Sequence, residues 1–201
     1  MLNLQLAAVD WDHDHWQGEF YPHDLPSPWR LTYYANEYRQ VLVPTRCWDK
    51  AGLAPAAQWY EDVHEAFRFY LLLPSHLLYP SGQPMALRSL DAFKEKLGGV
   101  ILDAAIEDVQ LLGRSLEGHY PNAEIFYRDD SSPKDTLRHW RSTRGRTAAV
   151  LDCTKPHELK TLRMYIERFI AQSAADQAIL FIDGDIGSLN DATTIAQLLG
   201  Y

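Results

Sequence analysis

Aspartates close most of the apolar runs in this chain, and that repetition carries the clearest chemical content. Asp10 follows LQLAAV, Asp103 follows GVIL, Asp152 follows TAAVL and Asp183 follows AILFI. Carboxylates that converge from several strand ends repel one another, so they retain a proton, hold a cation or pair with basic side chains. Cations stand at comparable places: Arg46 after QVLV, Arg128 after AEIFY, and Lys155 just beyond Asp152. Guanidinium and ammonium groups at strand ends suit a phosphate or another anion. His76, after FYLLLPS, and His157 add imidazoles that titrate near neutrality, and Asp129, Asp130 and Asp185 add further acids.

For each of these groups a functional and a structural reading stay open. DWDHDH, with Asp10, Trp11, Asp12, His13, Asp14 and His15, mixes carboxylate and imidazole as a divalent-metal edge does; its other reading is a solvated acidic loop ahead of a helix. Asp103, Asp152 and Asp183 form an acid–base or metal cluster, or else cap the helices that follow them and pair with Arg128 or Lys155. No complete metal-ligand set and no catalytic residue can be assigned from spacing. Cys153 sits beside Asp152, whose charge raises a thiol's pKa, so it reads as an inert buried thiol. The aromatic set Trp11, Trp16, Phe20, Tyr21, Trp29, Tyr33 and Tyr34 reads as core and barrel-floor packing, with a stacking platform as its alternative. Arg138, Arg141, Arg144 and Arg146 read as a solvated helix face, against a phosphate-binding surface.

These residues need elements to hold them. Short aliphatic runs over 4–9, 40–43, 67–73, 99–102, 123–127, 147–151 and 177–182 predict seven strands. Segments with helical spacing fill the intervals, at 29–39, 55–66, 88–97, 107–119, 133–143, 156–173 and 189–199. Start signals accompany several of them: Ser132 before Pro133, Thr154 and Lys155 before Pro156, and Ser188 or Asn190 before the last. Strands separated by helices run parallel with right-handed crossovers. No glycine-rich turn follows Val9, so a closed or nearly closed TIM-barrel-like (β/α) barrel is expected rather than an open dinucleotide-binding sheet. In such a barrel the strand ends meet at one mouth.

The 201 residues suit a single domain, and 46% hydrophobic with 12% aromatic content supports a large core. A net charge of -8 argues against nucleic acid and anionic membrane as partners. Cys47 and Cys153 show neither disulfide nor zinc spacing. The N-terminal residues lack a basic, apolar signal pattern, and no run approaches the roughly 20 residues of a membrane span, so a cytoplasmic location is expected.

The opening run WDHDHWQGEFYPHDLPSPWRLTYYANEY resembles the YecE-like family, domain of unknown function 72. That family's signature is carried here by Trp11, Trp16, Gly18, Phe20, Tyr21 and Pro22, followed by Leu25, Pro26, Leu31, Tyr33, Tyr34 and Ala35. At the far end, ILFIDGDIGSLNDATTIAQLLG is similar to the family's closing strand and helix, with Asn190 or Asp191 and Ala192 at its Asn-Ala start. FRFYLLLP, KLGGVILD and IFYRDDSS resemble its third, fourth and fifth strand segments. The resemblance implies a TIM barrel of eight units. No counterpart of the family's late Arg-x-His-Gly strand lies between Cys153 and Gln177, so the expectation is a shortened, divergent member with seven units and a gap or distorted seam near the last strand.

Several polar positions that the resemblance would supply are replaced. Leu42 stands for a Glu, Leu72 or Leu73 for a Lys, Phe126 for a Glu beside the retained Arg128, and Asp183-Gly184 for a paired Asn. Two function classes follow. One is a ligand pocket at the C-terminal rim for a small polar or phosphorylated molecule, with a divalent metal as the cofactor to consider, built from Asp10, Trp11, Arg46, His76, Asp103, Arg128, Asp152, Lys155 and Asp183. The other is a catalytically inactive interaction or scaffold protein, its pocket filled by apolar residues and its surface engaged by a protein partner or a second copy.

Overall fold

The computed structural model describes residues 2–48, 53, 55–129, 136–173 and 176–201. Eight strands close into a barrel in sequence order: β1 (Asn3–Val9), β2 (Gln40–Val43), β3 (Arg68–Leu72), β4 (Leu97–Leu102), β5 (Glu124–Arg128), β6 (Leu137–Ser142), β7 (Thr147–Cys153) and β8 (Gln177–Gly184). Among the described residues six helices accompany them: α1 (Arg30–Glu37), α2 (Ala56–Glu61), α3 (Gln83–Asp91), α4 (Ile106–His119), α5 (Leu159–Gln172) and α6 (Ile186–Leu198).

Strand alternation sorts the apolar residues into two shells. Val9, Leu42, Leu72, Ile101, Phe126, Trp140, Val150 and Phe181, one from each strand, belong to a small buried cluster that fills the barrel. Residues of the opposite parity, such as Ala8, Val41, Leu71, Ile125 and Leu180, join a larger shell. There they meet the buried faces of the helices: Leu31, Tyr34 and Ala35 of α1, Leu112 and Leu116 of α4, Leu162, Ile166 and Phe169 of α5, and Leu189, Ala192 and Ile195 of α6. The interior is therefore a packed core, and polar chemistry is confined to the ends of the barrel.

All seven expected strands form, and an eighth appears where a helix was expected. Residues 137–142 are not helical: β6 pairs antiparallel with β5 through Tyr127↔Arg141 and with β7 through His139↔Ala149. Its sequence, LRHWRS, alternates sides. Arg138 and Trp140 share the inward parity, while Leu137 is buried on the outer side and His139 packs there against Phe169 of α5, ring centroids 5.9 Å apart. The turn into β7 is closed by Ser142 and Arg146, with Gly145 at φ 85°. A three-stranded antiparallel arc, β5–β6–β7, thus stands where a crossover helix was expected.

The expected gap near the last strand is absent. β8 pairs with β1 from Asn3↔Gln177 to Ala8↔Ile182 and with β7 from Thr147↔Ala178 to Cys153↔Gly184. The barrel's irregularity lies instead at the antiparallel β6. Smaller corrections concern helix starts. α3 begins at Gln83 and gives way to a 3-10 turn, Lys94–Lys96, because Leu97 already opens β4. The last helix is capped by Asp185, which accepts from the Ser188 amide at 2.6 Å, rather than by Ser188 or Asn190. The start signal at Ser132 and Pro133 lies outside the described residues. Among the described residues no helix is long and apolar enough to cross a membrane.

Candidate functional site at the barrel mouth

The loop after β1 begins with a left-handed residue. Asp10 adopts φ 68°, and its Oδ1 accepts from the amides of Trp11 at 2.8 Å and Asp12 at 3.2 Å, an Asx arrangement that makes this backbone tolerable for Asp. Its Oδ2 receives Arg46 through Nε at 3.2 Å and Nη2 at 3.1 Å, and the Cys47 thiol at 3.7 Å. Burial and this neighbouring carboxylate push the Cys47 thiol up to about 12, so it is no nucleophile at neutral pH.

The other acids of the loop are held by one buried cation. Arg30 donates to Asp12 at 2.5 Å, Asp14 at 2.9 Å and Gln17 at 2.9 Å while lying over the Tyr21 ring. DWDHDH is thus an arginine-clamped turn, with each of its three aspartates ion-paired. The residues beyond it lock the turn in place. Gly18 has φ 84°, Tyr21 Oη donates to the Trp11 carbonyl at 2.6 Å, and Trp16 Nε1 reaches the Gly184 carbonyl at 3.4 Å. Trp16, Tyr21 and Tyr34 are buried in the helix layer beside the mouth rather than on the barrel floor, and Trp29 is 66% exposed.

Above the apolar interior, the inward parity of the strands delivers Asp103 from β4, Arg138 from β6, Asp152 from β7 and Asp183 from β8 to one mouth. Asp152 and Asp183 are direct register partners. Asp103 Oδ1 accepts from Trp140 Nε1 at 3.1 Å, and Arg128 donates to the Asp103 carbonyl at 3.3 Å. Arg138 extends over the Trp140 ring, 5.7 Å from Cζ to centroid, and pairs with no carboxylate among the described residues. A cleft of about 390 Å³ opens here, lined by Thr45, Leu72, Pro74, Ser75, Asp103 and Arg138.

The two adjacent carboxylates are driven apart electrostatically. Asp152 is held below the ordinary carboxylate value by Thr154, whose hydroxyl donates at 2.6 Å and amide at 3.0 Å, with help from Arg138 and His157. Burial raises Asp183, Asp152 adds to the rise, and Arg46, Arg138 and His13 oppose it. His13 is lowered by burial. Its Nε2 lies 3.0 Å from the Val9 carbonyl, which can only accept, so Nε2 carries the proton. Paired acids with divergent pKa values are the arrangement that divides proton-donor and proton-acceptor roles.

Of the residues expected at the site, Asp103, Arg128, Asp152 and Asp183 reach the mouth, and Arg46 stands at its edge on Asp10. Trp11 is buried edge-on against Trp59, centroids 4.8 Å apart. His76 is exposed on a 3-10 turn, Ser75–Leu77, and is not among the residues lining the cleft; Lys155 is exposed in the loop between β7 and α5. Cys153 is buried, its thiol pushed up to about 12 chiefly by burial. The arginine cluster is a strand and hairpin, not a helix face: Arg141 pairs with Asp129, and Arg144 and Arg146 with the buried Glu124. Arg138 was not expected at the mouth, and the alternation in LRHWRS was the available signal for it; His13 was expected at the strand-end rim with the rest of DWDHDH. Asp130 lies outside the described residues. Among the described residues, no three of His, Cys, Asp and Glu group to hold a metal ion.

Comparison with known proteins agrees with this architecture. A family model described as protein of unknown function DUF72 matches residues 6–103, which include the whole arginine-clamped turn. The fold is similar to that of a DUF72 family protein from Thermotoga maritima, at 14% identity and a TM-score of 0.61, covering 98% of this chain and 99% of that one. It is likewise similar to a DUF72 family protein from Enterococcus faecalis V583, at 12% identity and a TM-score of 0.61, covering 99% of this chain and 96% of that one. No curated protein matches. The first half of the chain, residues 6–103, thus matches the DUF72 family model, and the barrel as a whole has the fold of DUF72 family proteins.

Proposed function

We propose that the chain binds a small polar ligand bearing an anionic group, such as a phosphorylated metabolite, at the C-terminal mouth of the barrel. The observation that carries this reading is Arg138, a cation without a carboxylate partner among the described residues, placed on the wall of a cleft beside Asp103 and above Trp140. Every other described arginine at the mouth already has a protein oxygen to bind: Arg46 has Asp10 and Arg128 the Asp103 carbonyl. Asp152 and Asp183 offer acceptors to ligand hydroxyls, and Lys155 and His76 are exposed nearby in sequence to the same strand ends. A magnesium ion on these two carboxylates would need ligand phosphate oxygens and water to complete its shell.

Titration calorimetry with inorganic phosphate and glucose 6-phosphate, each with and without magnesium, tests the reading. Binding is expected, with a loss of at least tenfold in Arg138→Ala. Absence of heat from both probes under either condition refutes it.

A second reading is favoured by the packed interior. Leu42, Leu72 and Phe126, at positions where the resemblance implies polar groups, are buried inside the barrel. A catalytically silent scaffold that works through a protein partner or a second copy accounts for that filling. Light scattering that finds only a lone monomer, without a copurifying partner, counts against it.

A further inference from the structure

A second and larger cleft, of about 540 Å³, lies beside the mouth, between the turn after β1, the residues preceding α1, and α2. Its size is within the range of small-molecule sites. Trp11, Trp59 and Pro28 supply apolar walls. Trp29, next to Pro28, is an indole left 66% exposed. Of the three carboxylates that line the cleft, Asp10 and Asp12 are neutralised by Arg46 and Arg30, and Asp62 accepts from Gln58.

Two sets of polar groups line it. Arg46, in the turn after β2, uses Nε and Nη2 on Asp10 and makes no other hydrogen bond among the described residues, leaving Nη1 available. Its partner Asp10 opens the turn after β1 at the mouth. From the α2 side, Gln58 Nε2 donates to Asp62 Oδ1 at 2.7 Å, so Gln58 Oε1 and Asp62 Oδ2 remain as acceptors on residues that line the cleft. A ligand that matches has a flat ring for the indoles, amino donors for the acceptors of Gln58 and Asp62, and an anionic group for Arg46.

We propose that this cleft seats the amino-bearing ring of a nucleoside monophosphate whose phosphate passes Arg46 into the barrel mouth. The inference rests on the anion-binding reading of the mouth and adds the ligand class. Indole walls contact any base, whereas the acceptors of Gln58 and Asp62 favour adenine over uracil, which presents carbonyls where adenine presents an amine.

Calorimetry on the full chain with adenosine 5'-monophosphate, uridine 5'-monophosphate and inorganic phosphate separates the two claims. Adenosine monophosphate is expected to bind at least tenfold tighter than phosphate and to quench tryptophan fluorescence. Trp59→Ala and Asp62→Ala should each remove most of that advantage and leave phosphate binding unchanged. Trp59 also contacts Phe93, so Asp62→Ala and Gln58→Ala, both at accessible positions lining the cleft, decide the matter if Trp59→Ala does not fold. Phosphate binding as tightly as either nucleotide overturns the ring site and leaves the mouth reading intact. Nucleotide binding that survives Arg138→Ala, with no phosphate binding, overturns the mouth reading and with it the bridged pose. No binding of any probe overturns both.

Discussion

Trp140 is the side chain by which the unexpected strand β6 joins the barrel interior, and its removal gives the sharpest test of the architecture. It is 0% exposed and belongs to the interior cluster, and its Nε1 donates to Asp103 at 3.1 Å. Truncating a buried Trp to Ala costs about 3–5 kcal/mol through lost burial and the cavity left behind. The lost hydrogen bond adds little, because Asp103 is exposed and water replaces the donor. At roughly 2–4 °C per kcal/mol for a chain of this length, Trp140→Ala should lower Tm by roughly 6–20 °C. Trp140→Phe keeps most of the volume and loses the donor, so it should cost about 1–2 kcal/mol, or roughly 2–8 °C. The assay is thermal denaturation followed by far-UV circular dichroism, with urea midpoints as a check on the order of effects. Were residues 137–142 a surface helix, Trp140 would be a surface position and its replacement would fall within about 0.5 kcal/mol of neutral. A Tm for Trp140→Ala within about 2 °C of the parent protein would refute the interior placement and the closure that depends on it.

Gly18 holds φ 84°, and an added Cβ would meet only the flexible His23 ring, so Gly18→Ala should cost about 1 kcal/mol from the backbone, roughly 2–4 °C in Tm; no loss would mean that the left-handed turn is not needed. At the mouth, the same substitution in register partners should act in opposite directions at pH 7. Asp183 resists ionisation when folded, so Asp183→Asn should raise Tm at pH 7, with the gain fading as pH falls through its raised folded value and gone below the ordinary carboxylate value, where both states hold the proton. Asp152 is stabilised as the anion, so Asp152→Asn should lower Tm at pH 7, a penalty that vanishes as pH falls through its depressed folded value. Shifts of the same sign for the two would contradict the assigned environments.

Much of the candidate site follows from counting along strands. Asp103, Asp152 and Asp183 each continue the parity of an interior residue two positions earlier, Ile101, Val150 and Phe181, so the same alternation that buries those side chains sends the acids to the mouth. Arg138 obeys the same rule with Trp140, but its segment carries Arg and His at spacings that also suit a helix, and a short polar strand has too few residues for one period to prevail. Asp10 instead continues the outer parity of Ala8, and its side chain is engaged by the left-handed turn and by Arg46.

By itself the sequence determined the seven aliphatic strands, their parallel sense wherever a helix intervenes, the signature turn with Trp11, Trp16 and Gly18, and the strand-end acids. These are local properties, set by apolar periodicity and by side chains that bond to their own backbone. Only the tertiary structure decided that 137–142 pairs as a strand between β5 and β7, that Arg30 rather than a cation neutralises Asp12 and Asp14, and that Asp152 and Asp183 acquire opposite proton affinities. Those outcomes depend on how the folded chain surrounds each group: Arg30 reaches Asp12 and Asp14 from α1, β6 is held between two neighbouring strands, and burial in the closed barrel sets Asp183 apart from the Thr154-bonded Asp152.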